Sequence, residues 1–148
     1  MKKNILLIAA VIFMLMNHVA KSQTFINGDF ESWTHSGNYD TPDSINTLNS
    51  NLSSFGASSN VIKTNDAYHG GWAAELTTTY IALLGRNVPG VITNGVYNVS
   101  YFTTTPPVGS PVAAGKRINF RPAYFNGWFK YTRMGNDTAL MNIIFTKW

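Results

Sequence analysis

The sequence contains no cysteine, and it lacks the short motifs that identify several common catalytic sites. The absence of cysteine excludes disulfide bonds, cysteine nucleophiles and zinc sites of the cysteine type. No Gly-x-Ser-x-Gly elbow, His-Glu-x-x-His helix or phosphate-binding glycine loop occurs either. A chain of 148 residues without disulfides must be stabilised by a buried core, hydrogen bonds or bound ions.

A long apolar run occurs only near the N-terminus. Two lysines precede an uncharged, apolar stretch over 5–16, and Ala20 and Ser22 are small residues at the positions that signal peptidase recognises. This order is typical of a secretory signal peptide, and the stretch is shorter than the roughly 20 residues of a transmembrane helix. We expect removal of residues 1–22 and a mature chain that starts at Gln23 in an extracytoplasmic location: secreted, on the outer surface or periplasmic. The alternative is an uncleaved N-terminal anchor.

The apparent basicity of the chain comes largely from this leader. The whole sequence has a net charge of +4 and a pI near 9.4. Three of the eleven basic residues precede Gln23 and all seven acidic residues follow it, which leaves a net charge of +1 on the mature chain. Because binding to a phosphate backbone depends on concentrated positive charge, we expect no nucleic-acid partner.

Composition and periodicity predict one all-β domain over 23–148. No stretch of a dozen residues spaces its apolar side chains as an amphipathic helix does, and Thr, Asn, Gly and aromatic residues favour strands and turns. Short strands separated by turn signals are typical of an antiparallel β-sandwich. A turn is predicted at Asn27-Gly28, and strands are predicted at 72–78, 96–102, 118–121, 124–132 and 138–147.

The segment over 34–60 is predicted as long surface loops, because Ser, Asn, Thr and Gly dominate it. His35 lies in this segment and His69 in a second Gly-rich loop, and we expect both side chains to be solvated. Four apolar side chains are expected to anchor the loops to the core: Ile45, Leu48, Leu52 and Phe55.

Several blocks of the sequence resemble a known family. The strings YHGGWAAELTT at 68–78, GVITNG at 90–95 and RPAYFNGWFKY at 121–131 resemble the carbohydrate metabolism domain of Bacteroidetes. The opening NGDFESW at 27–33 is similar to the first strand of galactose-binding-like jelly rolls. The resemblance implies an exported or surface-attached antiparallel sandwich that handles glycans, without catalytic residues. Members are usually longer, and this chain stops on a strand-like segment, so we expect the sandwich to be incomplete within 148 residues.

Sugar recognition requires aromatic faces that stack on the ring and planar polar groups that bind hydroxyls. Alternatives remain open for several candidates. Strand alternation places Trp72 on an apolar face, so we expect it in the core. Trp128 shares a face with Lys130 and belongs either to the core or to a site, while Arg121 either binds sugar or braces a turn. The predicted ligand-binding residues are Trp33, Asp66, Arg121, Tyr124, Asn126 and Trp128.

Asp29 and Glu31 are candidate metal ligands. They are two residues apart, which on a strand would place both carboxylates on one face. Calcium takes six to eight oxygens, and carbonyls of the neighbouring turn would add to the pair. The resemblance also places Glu31 near a structural calcium of galactose-binding-like modules. The alternative is a solvated acidic edge.

The expected function is non-catalytic carbohydrate binding by an exported β-sandwich domain of a bacterial surface protein, with a polysaccharide as partner. Two other classes remain. One is a glycan-active hydrolase, which requires two carboxylates across a cleft, with Glu75 and Asp66 available and the second group supplied by residues beyond Trp148. The other is a structural or adhesive module in which the aromatic residues all belong to the core.

Overall fold

The computed structural model describes residues 26–104, 106–118 and 122–145. Ten short strands, two short helices and one 3₁₀ turn occur in these residues. The strands are β1 (Trp33–Ser36), β2 (Tyr39–Pro42), β3 (Asn46–Thr47), β4 (Val61–Thr64), β5 (Ala73–Leu76), β6 (Thr79–Ile81), β7 (Arg86–Val88), β8 (Ile92–Thr93), β9 (Val96–Tyr97) and β10 (Val112–Ala113). The helices are α1 (Asn49–Ser54) and α2 (Val99–Thr103), and the 3₁₀ turn is Ala82–Leu84.

The strands associate as five antiparallel pairs, and within the described residues each sheet has two strands. Three pairs join neighbouring strands in the chain: β1 with β2, β4 with β5, and β6 with β7. β9 pairs with β10 across α2, and β3 pairs with β8, which brings together Asn46 and Thr93. The prediction of an all-β chain with antiparallel pairing is confirmed at this level.

The prediction of surface loops over 34–60 is wrong for much of that segment. β1 and β2 form a hairpin in which Ser36 pairs with Tyr39, so Gly37 and Asn38 make a two-residue turn. Gly37 has a φ of 63°, as expected for the first central residue of a type II′ turn. The polar composition of the segment therefore reflects strands with solvent-facing side chains, followed by β3 and α1.

The core forms where α1 packs against β6, β7 and α2. Leu48 and Leu52 are buried beside Ile81, Val88 and Phe102. Ile45 is also buried and Phe55 is half-buried, so the predicted anchors do face the interior. Apolar side chains from three distant parts of the chain are buried together, and this shared hydrophobic core stabilises the short elements.

A Schellman motif ends α1 and sets the path of the loop that follows. The N–H of Ala57 donates to the carbonyl of Leu52, and the N–H of Gly56 donates to the carbonyl of Ser53. Gly56 has a φ of 69°, which is the left-handed conformation that this motif requires. Ala57 then packs against the core cluster that contains Leu52.

The side chain of Asn49 ties α1 to two strands. Its amide nitrogen donates to the carbonyl of Asp40 in β2 at 2.8 Å and to that of Val61 in β4 at 2.6 Å. Its amide oxygen accepts from the N–H of Val61 at 3.2 Å. Because Asn49 is fully buried, these bonds satisfy a polar group that would otherwise be costly to bury.

The strand predicted over 96–102 is wrong beyond Tyr97. The paired strand ends at Tyr97, and α2 begins at Val99 after a single extended residue, Asn98. Its Phe102 is buried in the core cluster, and its aromatic ring meets that of Tyr101 edge to face at 5.3 Å. Tertiary burial of Phe102 thus overrides the β propensity of this aromatic and β-branched segment.

The strands predicted near the C-terminus are not formed in the described residues. Residues 124–132 and 138–145 pair with no strand there, and their side chains are exposed. Gly135 and Asn136 form a turn, in which the N–H of Asp137 donates to the carbonyl of Met134. The remaining positions predicted as strand, 119–121 and 146–147, lie outside the described residues.

No helix in the described part of the chain is long and apolar enough to cross a membrane. The predicted signal peptide, residues 1–22, lies outside the described residues.

Candidate functional site

The loop between β4 and β5 carries the candidate site, and Glu31 holds this loop in place. The register of the hairpin pairs Thr64 with Ala73, so residues 65–72 form the connection. The Oε1 atom of Glu31 accepts hydrogen bonds from the N–H of Gly71 at 2.8 Å and of Trp72 at 3.0 Å. Bonds of this kind to an ionised carboxylate are stronger than those between neutral groups. Glu31 therefore acts as a brace across about 40 residues of sequence.

Gly70 allows the carboxylate of Glu31 to approach the loop. It has a φ of 76°, a conformation that disfavours any residue with a side chain. A Cβ atom at this position would also collide with the Oε1 atom of Glu31. A Cβ atom at Gly71 would make only an ordinary contact with the other carboxylate oxygen. Of these two glycines, the local geometry therefore requires a residue without a side chain only at Gly70.

Two aromatic side chains of this loop and one from a distant segment form what we call the aromatic patch: Tyr68, His69 and Trp128. The rings of Tyr68 and Trp128 stack with centroids 4.0 Å apart and an interplanar angle of 24°. His69 meets the ring of Tyr68 edge to face at 5.0 Å. Tyr68 and Trp128 remain 68% and 70% exposed, so their outer faces are open to solvent. Of the two alternatives for Trp128, the core position is excluded.

An ion pair joins the two segments of the patch. The Nζ atom of Lys130 lies 2.6 Å from the Oδ2 atom of Asp66. This hydrogen bond, with the negative charge of Asp66, raises the pKa of Lys130 above its usual range. Trp128 contacts Tyr68 and Lys130 contacts Asp66, so both side chains reach the same loop. Asp66 and Trp128, each predicted separately, are thereby brought together.

Trp72 does not occupy the predicted core position. It lies directly before β5 and is 38% exposed. The ammonium of Lys63 lies 3.9 Å from the centroid of its ring, a cation–π contact. The prediction was wrong because the pairing of β5 starts one residue later, at Ala73, so Trp72 belongs to the loop.

The other predicted ligand-binding residues do not join this group. The indole N–H of Trp33 donates to the carbonyl of Phe30 at 2.5 Å, which fixes a half-buried ring beside the first turn. Tyr124 and Asn126 are exposed on the segment that leads to Trp128. Arg121 lies outside the described residues.

The geometry predicted for Asp29 and Glu31 is wrong. The segment is a turn, and Phe30 between them has a φ of 58°, so the two carboxylates do not follow strand alternation. The Oδ1 atom of Asp29 accepts from the N–H of Glu31 at 3.5 Å, while Glu31 is directed to its loop. In the described ranges no group of three or more acidic or histidine side chains could hold a metal ion. Calcium at this pair stays a prediction.

The side chain of Asn27 ties the turn to residues on either side of the β1–β2 hairpin. Its nitrogen donates to the carbonyls of Ser32 and Asp43, each at 2.9 Å. Its oxygen accepts from the N–H of Ser32, also at 2.9 Å. The carbonyl of Asn27, one of those predicted to help a cation, accepts from the N–H of Phe30 at 3.1 Å.

Sequence reasoning missed Tyr68, Lys63 and Lys130. Lys130 and Asp66 are 64 residues apart, and no spacing rule connects them. The available signal was local: Asp66, Tyr68 and His69 share a loop that ends in two glycines, an arrangement that favours exposed side chains on a sharply turned backbone.

The chain matches no family model, no curated protein and no solved structure. The resemblance to the carbohydrate metabolism domain of Bacteroidetes therefore stays a prediction.

Proposed function

We propose that this protein is an exported, non-catalytic carbohydrate-binding domain of the bacterial surface, and that the aromatic patch is its binding surface. The observation that carries the proposal is the exposed stack of Tyr68 on Trp128, flanked by Asp66 and His69. Large aromatic rings with open faces are costly to expose to water and are favourable once a sugar ring covers them.

The patch is preorganised for a ligand. Glu31 holds the backbone at Gly71 and Trp72, and the Lys130–Asp66 pair links the segment that carries Trp128 to the same loop. Residues that are already ordered lose less conformational entropy on binding. The polar atoms beside the rings, on Asp66 and His69, are suited to the hydroxyl groups of a sugar.

The charges around the patch favour a neutral glycan over an acidic one. Lys130 is paired with Asp66, and Lys63 is engaged with the ring of Trp72. A uronate or sulfate group would meet cations that already have partners, and it would also approach the carboxylates of Asp66 and Glu31. Like-charge approach of this kind is unfavourable and opposes binding.

The finer fold and the location belong to the same proposal. We infer a galactose-binding-like jelly roll, and the pairing of β3 with β8 across 45 residues supports it, because non-local antiparallel pairs are typical of sandwiches. An experimental structure that showed no second packed sheet would contradict this. Export through cleavage before Gln23 is tested by N-terminal sequencing of the protein from the culture supernatant and periplasm.

A glycan array with the mature chain, compared with two variants at neighbouring positions, tests the binding function. Trp128→Ala removes one ring of the stack, whereas Phe129→Ala removes a ring that is 83% exposed and, among the described residues, does not stack on Tyr68. We expect neutral polysaccharides to retain the unsubstituted protein and the Phe129 variant but not the Trp128 variant. Absence of retention by every polysaccharide, or equal retention of both variants, contradicts the proposal.

A further inference from the structure

A polar cavity lies beside the β1–β2 hairpin, formed by residues other than those of the aromatic patch. It has a volume of about 410 Å³, within the range of small-molecule sites. β2, the loop after α1 and the start of β4 supply its walls. Its polar lining includes Asn38, Tyr39, Asp40, Ser53, Ser58 and Ser59.

His35 and Asp40 form an oriented pair at this cavity. They face each other across the hairpin register, and the Nδ1 atom of His35 lies 2.8 Å from the Oδ1 atom of Asp40. A carboxylate only accepts, so Nδ1 carries the proton and donates it. In the neutral imidazole the Nε2 atom is then a hydrogen-bond acceptor. Both side chains are exposed enough to reach a ligand, at 70% and 44%.

The end of α1 and the loop that follows it add hydroxyl groups to the lining. The Oγ atom of Ser53 donates to the Oδ1 atom of Asn38 at 2.6 Å, which leaves its lone pairs to accept from a ligand. The Schellman turn at Gly56 sets the backbone that carries Ser58. The buried clamp of Asn49 holds α1 against β2 and β4, so the walls are joined before any ligand arrives.

We propose that this cavity binds a neutral polyhydroxylated ligand the size of one sugar unit, either free or at the end of a longer glycan. Beside the hydroxyl, amide and imidazole groups, the lining includes the carbon surfaces of Ala57 and Ile62. This combination fits a molecule that has hydroxyl groups on its edge and C–H groups on its face. Among the described residues that line the cavity, none is a lysine or an arginine, and Asp40 opposes an anion.

Titration of the ¹⁵N-labelled mature chain with glucose, galactose or mannose, followed by amide chemical shifts, tests this proposal. We expect saturable shifts over 35–40 and 53–62. Ser53→Ala should weaken binding about fivefold, the effect of losing one hydrogen bond, and His35→Ala should weaken it at least as much. Ser54→Ala is the matched control, because its hydroxyl donates to the carbonyl of Ser50 and does not line the cavity.

The trisaccharides of the same sugars distinguish the two sources of ligand. Equal affinity for the monosaccharide and the trisaccharide supports a pocket for free sugars, and tighter binding of the trisaccharide supports a site for a glycan end. Shifts confined to 68–72 and Trp128, absence of shifts at millimolar sugar, or unchanged affinity in both cavity variants overturns the proposal. The residues that line the cavity differ from those of the aromatic patch. The sugar titration therefore tests the cavity even if the patch binds no glycan.

Discussion

Replacement of Asn49 by alanine tests how the short elements of this fold are held together. The substitution removes two hydrogen bonds donated by the amide nitrogen and one accepted by its oxygen. Val61 is fully buried, so water cannot replace its lost partners at either its N–H or its carbonyl. Each buried polar group left without a partner costs about 1–3 kcal/mol, which gives a loss of roughly 4 kcal/mol for the two groups of Val61.

That loss is large against the roughly 5–15 kcal/mol by which a domain of this size is stable, and it corresponds to a fall in Tm of about 10–20 °C. Urea unfolding of the mature chain, followed by tryptophan fluorescence, measures it. Asn51→Ala in the same helix is the control and should change the free energy of unfolding by less than about 0.5 kcal/mol. A difference between Asn49→Ala and Asn51→Ala of less than about 1 kcal/mol would refute the reasoning.

Three further predictions concern the loop and its partners. Gly70→Ala should lower the free energy of unfolding by more than about 1 kcal/mol through strain and collision with Glu31, while Gly71→Ala should be tolerated; equal urea midpoints would contradict this. The pKa of Lys130, measured by NMR titration, should fall toward its usual value in Asp66→Asn. Because the pKa of Lys130 is raised in the folded state, the small stabilisation by this exposed pair is present at neutral pH and is lost as pH rises through that pKa. An unchanged pKa of Lys130 in Asp66→Asn would contradict a stabilising contact between the two side chains. Calcium should raise the Tm of the mature chain and have no effect in Glu31→Gln; the same Tm with calcium and with chelator would exclude the structural ion.

The all-β character and the buried anchors could be predicted from the sequence, because both depend on local patterns. Leu48 and Leu52 are apolar side chains in a polar segment, and burial is the usual outcome for such residues in an ordered chain. The β1–β2 hairpin was also within reach, since Gly37-Asn38 is a turn signal between two short alternating segments. Its polar composition directed the prediction toward loops.

The helix at 99–103 could not be predicted from local preference. Val99, Tyr101 and Phe102 favour strands, yet helical backbone is what places Phe102 in the core beside Leu48. Core residues that are remote in sequence decide that this segment is helical. A segment of five residues is too short to show a helical spacing of its apolar side chains.

The candidate site was predicted as separate residues and not as an arrangement. Asp66 and Trp128 were identified by their chemistry, but their meeting depends on Tyr68 and Lys130, which contact them across the fold. Trp72 was misplaced because strand alternation was extended one residue too far. The prediction that Asp29 and Glu31 share one face was wrong for a related reason. Strand alternation holds only for extended backbone, and this segment forms a turn.

Affinity electrophoresis of Tyr68→Ala and Tyr80→Ala in gels containing a neutral polysaccharide that retains the unsubstituted protein tests the central claim most directly. The two tyrosines are similarly exposed, at 68% and 62%, but only Tyr68 stacks on Trp128. The account predicts that Tyr68→Ala binds at least about tenfold more weakly, a loss of roughly 1.4 kcal/mol, while Tyr80→Ala retains full affinity. Equal retardation of the two variants would contradict it.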